Sequence, residues 1–454
     1  MKKMIYENQF DVVVIGGGVS GFAAALSAAR NGATTLVLEQ NGYLGGTLTG
    51  CGVGPMMTFH AGDKQVIQGV MQELVDRLIA GGYSVGHVLD SKQYTRTITP
   101  FVSEGMKLVM DEMLAEAGCT VLFHTAVGAV QTEASKITGL TVCNKDGLNT
   151  VSGKIYIDAS GDGDIATWSG APMVKGRPED GASQPLTLKM KYCDVDTKVL
   201  KEYVMSNPDK FPHIAPHFEI FSQPIPVDLE GFDEEFKEEK AAGNLSIQRE
   251  NVLMFGTGRE GEYIINTTRI IDHDATDAAS LSEAEHIGRK QAAELDVFLR
   301  KHAPGFEHAL LEFTGPSVGI RSSRQLVGSY ILSAEDILVR KEFSDTIAHS
   351  GYPIDIHNPK GEGTMSTFMS EPGSYYSIPY GTMVCEEIEN LIVTGRCIST
   401  TFEAQAAIRT TPTVGALGQA AGIAATMAIE SGNTSQIDIA ELRNKLKEQK
   451  AYLE

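Results

Sequence analysis

The sequence predicts an α/β fold: a Rossmann-like dinucleotide-binding domain, made of a parallel sheet plus a β-meander, with an α+β domain inserted into it. Three observations carry this prediction. An apolar run over residues 10–15 is followed by Gly16, Gly18 and Gly21 at the G-x-G-x-x-G spacing, then an alanine-rich segment, a second apolar run and Glu39. Strand-like segments at 120–124, 126–132, 137–144 and 150–158 follow one another, with a hairpin turn at Asn144-Lys145-Asp146-Gly147. The stretch from 182 to 320 holds no second glycine fingerprint, and the glycine-rich pattern returns only near Gly395.

Each part of the first unit has a physical role. Residues 10–15 are apolar without alternation, as in a parallel strand buried on both faces. Gly16 allows a tight turn, Gly18 lets backbone amides approach a pyrophosphate, and Gly21 lets the next helix pack closely on the strand. That helix, residues 19–31, begins with free amides and a positive dipole end, and Ser20 lies in its first turn. The strand at 34–38 ends in Glu39. A carboxylate there accepts hydrogen bonds from the ribose hydroxyls of an adenosine and disfavours a 2′-phosphate. Gln40 follows it and is assigned to the same site.

The chain has 454 residues, enough for two sizeable cores, and is 42% hydrophobic and 21% charged, an ordinary globular balance. A formal charge of −20 argues against nucleic acid and anionic membrane surfaces as partners. The six cysteines contain no C-x-x-C pair, so neither an iron–sulfur cluster nor any other metal site is expected. Free thiols suit a reducing, cytoplasmic setting. The N-terminal region has no continuous apolar segment, so no signal peptide or membrane span is expected. The expected division is a dinucleotide-binding domain over 1–180, a substrate domain over 181–380, and a return to the first domain with a C-terminal helix over 381–454.

The loop after Glu39 carries Leu44-Gly45-Gly46-Thr47. This arrangement resembles the FAD-binding start of the glutathione-reductase-like flavoproteins. More narrowly, it resembles bacterial FAD-dependent oxidoreductases related to the flavin subunit of heterodisulfide reductases. The resemblance implies FAD as cofactor, with Gly45, Gly46 and Thr47 beside its ribityl chain and pyrophosphate. The run Asp158-Ala159-Ser160-Gly161-Asp162-Gly163-Asp164 resembles the family sequence D-A-S/T-G-D-G-D, which implies that Ala159 and Gly161 lie beside the dinucleotide and Val127 near the adenine. Asp162 and Asp164 are equally explained as turn and helix-capping residues. Residues 319–328 resemble a motif written R-E-S-R-R; Arg321 and Arg324 keep it, while Ser322 and Gln325 depart from it. After Ile378-Pro379-Tyr380 the family's arginine is replaced by Gly381. Gly395 and Arg396 fall where the superfamily closes the flavin site. Thr411-Pro412 reads as an N-cap followed by proline at the first helical position. The resemblance implies that this N-terminus, Thr413 included, points at the flavin pyrimidine ring, where its dipole stabilises charge near N1 and O2.

Helices are expected at 65–81 and 103–117, and an amphipathic helix at 437–454. In the middle section, 184–192, 251–256 and 261–268 read as strands and 228–242 as an acidic surface. A long helix is expected from the capping box Ser280-Leu281-Ser282-Glu283 to just before Pro304. No nicotinamide-binding βαβ unit is present there. With FAD held, the expected activity is that of an FAD-dependent oxidoreductase, moving a hydride between a small organic substrate, at a C–OH or C–C bond, and flavin N5. The alternative is a flavoprotein electron-transfer subunit working with a redox partner protein. The candidate catalytic residues are His60, Arg324, Glu403 and Arg409. Each has a structural alternative: a satisfied histidine, an ion pair between domains, and pairing of Glu403 with Arg409. Cys51 has no neighbouring cysteine in sequence, which disfavours a disulfide-reductase mechanism.

Overall fold

The structure, a computed structural model, describes residues 2–222 and 227–454. β1 (Gln9–Ile15), α1 (Val19–Arg30) and β2 (Thr35–Leu38) follow in the expected order. Val12, Val13 and Val14 are completely buried, which is why β1 shows no polar alternation. β3 (Thr120–Leu122) lies parallel to β2. β4 (Ala126–Glu133), β5 (Lys136–Asn144) and β6 (Gly147–Asp158) form the meander, turning at residues 144–147. β6 serves two layers. Its first half pairs antiparallel with β5, and its second half runs parallel to β1 on one side and to the returning strand Leu391–Val393 on the other. The parallel order is therefore β3-β2-β1-β6 and then the returning strand. The carboxyl ends of these strands share one edge, where open α/β sheets bind ligands.

α2 (Val70–Ala80) and α3 (Ser103–Glu116) pack in the same core as α1. The helix expected from residue 65 starts at Val70, because Lys64–Gln65 pairs as a short strand with His60–Ala61.

A second sheet contains β7 (Met190–Cys193), β8 (Asp228–Gly231), β9 (Val252–Gly256), β10 (Tyr263–Ile265) and β11 (Leu310–Thr314), in the order β8-β9-β10-β7-β11, all antiparallel. α4 (Ala278–His302) covers it with Leu295, Phe298 and Leu299. α4 begins before the expected capping box. Asp277 accepts from the Ser280 amide at 2.7 Å, which draws residues 278–280 into the helix. The acidic-surface expectation fails at Asp228, which is fully buried in β8; burial pushes its carboxyl well above the usual range, and Asp90 adds to the shift.

The side chains of this second cluster come from Leu186 to Val318, whereas those from Leu332 to Val384 join the cluster around α1. A hairpin of β12 (Ile354–His357) and β13 (Thr364–Thr367) stands near α5 (Phe402–Ile408). α6 (Thr411–Met427) then runs against α1. A Cβ at Gly418 would lie 2.1 Å from the Ser20 carbonyl oxygen, and one at Gly422 would lie 2.1 Å from that of Ala24. Among the described residues no helix is long and apolar enough to cross a membrane, and no group of three or more His, Cys, Asp and Glu residues is placed to hold a metal ion. The six cysteines are unpaired.

Candidate active site

A cavity of about 510 Å³ opens along the carboxyl ends of β1, β2 and β6 and reaches the second sheet. Its first arm is built from the glycine turn. The Glu39 carboxylate accepts from the Gly17 amide at 2.7 Å, the Asn41 amide at 2.7 Å and the Asn41 side-chain amide at 2.9 Å. A carboxylate has about four acceptor positions, so one remains for a group in the cleft that Glu39 lines. Gly18 also lines it. A Cβ there would touch nothing closer than the Gly46 Cα at 3.8 Å, so the missing side chain leaves open space directly over the backbone. No side chain caps the N-terminus of α1 or that of α6, and both ends face the cleft through Val19, Ser20, Thr410 and Thr411. Uncapped amides, open space over glycine and a spare carboxylate lone pair fit an adenine dinucleotide such as FAD.

Most of the residues assigned to the cofactor from sequence line this one cavity: Gly16, Gly18, Ser20, Glu39, Gln40, Gly46, Thr47, Val127, Ala159, Gly161, Gly395 and Arg396. The Ser20 hydroxyl is already bonded to Thr394 at 2.8 Å, which leaves its backbone amide for a ligand. Three of the assigned residues stand behind the wall. Gly21 lies against Gly16, where an added Cβ would come within 1.9 Å of the carbonyl oxygen. Gly45 donates to the Gly17 carbonyl at 2.9 Å and so fixes the two loops together. Thr413 is fully buried with its hydroxyl on Ser350 and Thr410, both at 2.9 Å. The N-cap of α6 is Thr410 rather than Thr411, so Thr411 holds the cleft-lining position expected of Thr413.

The four catalytic candidates separate. His60 lies outside the cavity lining, with Nδ1 2.9 Å from the Thr97 hydroxyl and its ring edge-on to His87 at 5.1 Å. Arg324 donates to Asp164 at 2.9 Å and to the Asp162 carbonyl at 3.2 Å, which ties β6's end to the 319–328 segment. Glu403 sits in the first turn of α5, outside the lining. Arg409 does line the cavity, and its partner is Asp355 at 3.4 Å, not Glu403. Asp162 does not cap a helix; it accepts from Arg396 at 2.8 Å and from Ser323 at 2.5 Å.

The second arm holds residues that the sequence reading did not place there. Phe255 comes from β9 of the second sheet, Lys189 from just before β7 and Asn266 from just after β10, Arg321 from the 319–328 segment, and Tyr352, Asp355 and His357 from β12 and the turn before it. Tyr352 donates to Asp355 at 3.2 Å, and His357 Nε2 is 3.4 Å from the same carboxylate. Burial, reinforced by Arg321, pushes His357 down to about 3, so the ring is neutral near pH 7. Although burial opposes it, a hydrogen bond from the neutral His357 ring and the charge of Arg409 hold the Asp355 carboxyl below the usual range. Burial raises Cys51, whose thiol points to Ser317 and the Val318 carbonyl. The signal that could have found Lys189 is an alternation: Thr187, Lys189 and Lys191 fall between Leu186, Leu188, Met190 and Tyr192, which all enter the second core.

Comparison with known proteins agrees with this geometry. A family model described as FAD dependent oxidoreductase matches residues 11–446. Digeranylgeranylglycerophospholipid reductase 1 of Methanococcoides burtonii is 25% identical over 187 residues, which is 36% of this chain and 41% of that protein. A soluble pyridine nucleotide transhydrogenase of Hahella chejuensis is 40% identical over 62 residues, 14% of this chain and 13% of that one. The chain thus spans well under half the length of these two relatives. The solved structure of a geranylgeranyl bacteriochlorophyll reductase-like protein from Thermoplasma acidophilum superimposes with a TM-score of 0.50 at 15% identity, covering 97% of this chain and 84% of that one.

Proposed function

The chain belongs to the FAD dependent oxidoreductase family, and from that premise we propose that it moves a hydride between a small organic substrate, at a C–OH or C–C bond, and flavin N5. One observation carries this reading: a single cavity is lined both by the glycine turn with Glu39 and by Lys189, Phe255 and Asn266, which lie in or at the ends of strands of the second sheet. A dinucleotide in the first arm leaves the second arm for a substrate. FAD, when bound, supplies hydride acceptance or donation at N5. Glu39 and the backbone at Gly18 hold the adenosine and phosphates, while Gly46, Thr47 and the N-terminus of α6 hold the rest. Arg396, paired with Asp162, lines the cavity beside Gly161. Tyr352, Asp355 and His357, and not His60, form the hydrogen-bonded polar group that faces a substrate in the second arm.

The same reading keeps the kinship with glutathione-reductase-like flavoproteins and the heterodisulfide reductase flavin subunit, and a cytoplasmic setting. It narrows the substrate-side insertion from 181–380 to roughly 186–318, the span of the second apolar cluster. The test begins with acid denaturation of the purified protein, which should release FAD; FMN or NAD as the sole tight cofactor would overturn the reading. Anaerobic addition of hydroxy acids, enoates, sugars and amines should then bleach the flavin with at least one of them. NADH and NADPH should reduce it slowly and without saturation. Bleaching by a reduced protein partner and by none of the small molecules would favour an electron-transfer subunit.

A further inference from the structure

The second arm of the cleft carries more positive charge than the chain balances. Lys189 is 8% exposed, and among the described residues its ammonium makes no hydrogen bond or ion pair; it stands 6.0 Å from the centre of the Phe255 ring. Arg321 lines the same arm. Its guanidinium is steered by the Pro185 carbonyl at 2.6 Å and by the Thr187 hydroxyl, and among the described residues no carboxylate pairs with it. Arg409, Arg269 and Arg249 lie close enough to repel Arg321. Asp355 attracts Arg321 and offsets part of this repulsion, but its one negative charge is shared with Arg409, and it is also engaged by His357. Buried cations without counter-charge are costly, and a fold keeps them where a ligand completes the pair.

We propose that the substrate is a carboxylate, and that Lys189 and Arg321 supply its counter-charge. The proposal rests on the flavoenzyme reading above and names the substrate class for the same cavity. A planar carboxylate matches the guanidinium fork along one edge and leaves the other edge to the lysine. Phe255, Val318 and Tyr352 wall the arm, so a strongly hydrated ion such as phosphate gives up more water there than a carboxylate carried on a carbon skeleton. The electrostatics agree. Burial lowers Lys189 to about 7, with Arg321, Arg409 and Arg249 pushing in the same direction and Cys51 opposing. An anion beside it reverses that push, so carboxylate binding above neutral pH takes up a proton.

The experiment uses the FAD-loaded protein and follows the flavin difference spectrum. Acetate, malonate and benzoate are titrated in parallel with acetamide, malonamide and benzamide, and with inorganic phosphate. At least one carboxylate should saturate, at an affinity tenfold or more above its amide, with proton uptake at pH 8. Lys189→Met and Arg321→Met should each weaken that binding at least tenfold with FAD content unchanged, and Lys189→Met should abolish the proton uptake. In the absence of carboxylate, Lys189→Met should also melt higher than wild type, which separates loss of binding from loss of folding. No response to any carboxylate, amides binding as well as acids, saturation by phosphate alone, or unchanged affinity in both variants would overturn the assignment. Purified protein without FAD would sink the flavoenzyme reading and this assignment with it, and is seen before any titration begins.

Discussion

Replacing Glu39 with alanine tests the cofactor arm most directly, because the carboxylate has two jobs. Within the protein it accepts from the amides of Gly17 and Asn41. Gly17 is buried, so its amide loses its acceptor without gaining water, at a cost of about 1–3 kcal/mol; Asn41 is exposed and rehydrates at little cost. The apoprotein should therefore lose about 1–3 kcal/mol, read as a lower urea midpoint. The second job is to accept from a ribose hydroxyl. A hydrogen bond to a charged group is worth about 1.5–3 kcal/mol, or roughly tenfold to a hundredfold in the FAD dissociation constant. Glu39→Gln keeps one acceptor oxygen but turns an N–H toward a donor, so it should fall between wild type and alanine on both scales. Quenching of FAD fluorescence on addition of apoprotein measures the affinity. An FAD dissociation constant for Glu39→Ala within twofold of wild type would refute the idea that this carboxylate reaches the adenosine.

Two glycines offer a contrast. Gly18 has φ −63° and open space where a Cβ would go, so Gly18→Ala should fold normally and lose FAD, whereas Gly21→Ala should lower stability outright because its Cβ meets the Gly16 carbonyl; equal behaviour of the two variants in FAD content and melting would contradict the geometry. Acid sensitivity should come partly from buried histidines. Burial pushes His87 and His349 down to about 4 and His357 to about 3, so the unfolded chain binds protons that the fold refuses between about pH 6.5 and 4, and for His357 down to about 3. Stability from these groups is fully present above that window and is lost as the pH falls through it. The urea midpoint should drop accordingly, less steeply in His349→Gln, and a flat profile would mean that these rings carry charge in the fold.

The cofactor arm was legible because its constraints are local. Strand, glycine spacing, helix and acid occupy one run of chain, although the glycines also answer to distant backbone, Gly16 to Ala159 and Gly18 to Gly46. The substrate arm was not, because its groups meet from far apart. Arg409 takes Asp355 as partner rather than nearby Glu403, since the 402–408 helix carries Glu403 on a face away from the cleft. Lys189 lies on a strand-like alternation whose polar face ordinarily means solvent; only the fold reveals that the dinucleotide domain covers it. Thr413 shows how narrow the margin is at a helix start. The N-cap is one residue earlier than the Thr-Pro pair suggests, and that shift turns Thr413 onto Ser350 while Thr411 faces the cavity.

The backbone contact between α1 and α6 bears on how the protein is made. The amide ends that would receive the phosphates and the flavin belong to helices far apart in sequence, held together by glycines that tolerate nothing larger. On the ribosome α1 emerges long before α6. The nascent chain can therefore fold its first strands, yet it has no complete cradle until α6 has followed. Cofactor capture then has to wait for that helix, and a chain stopped before residue 411 should fold in part and remain colourless.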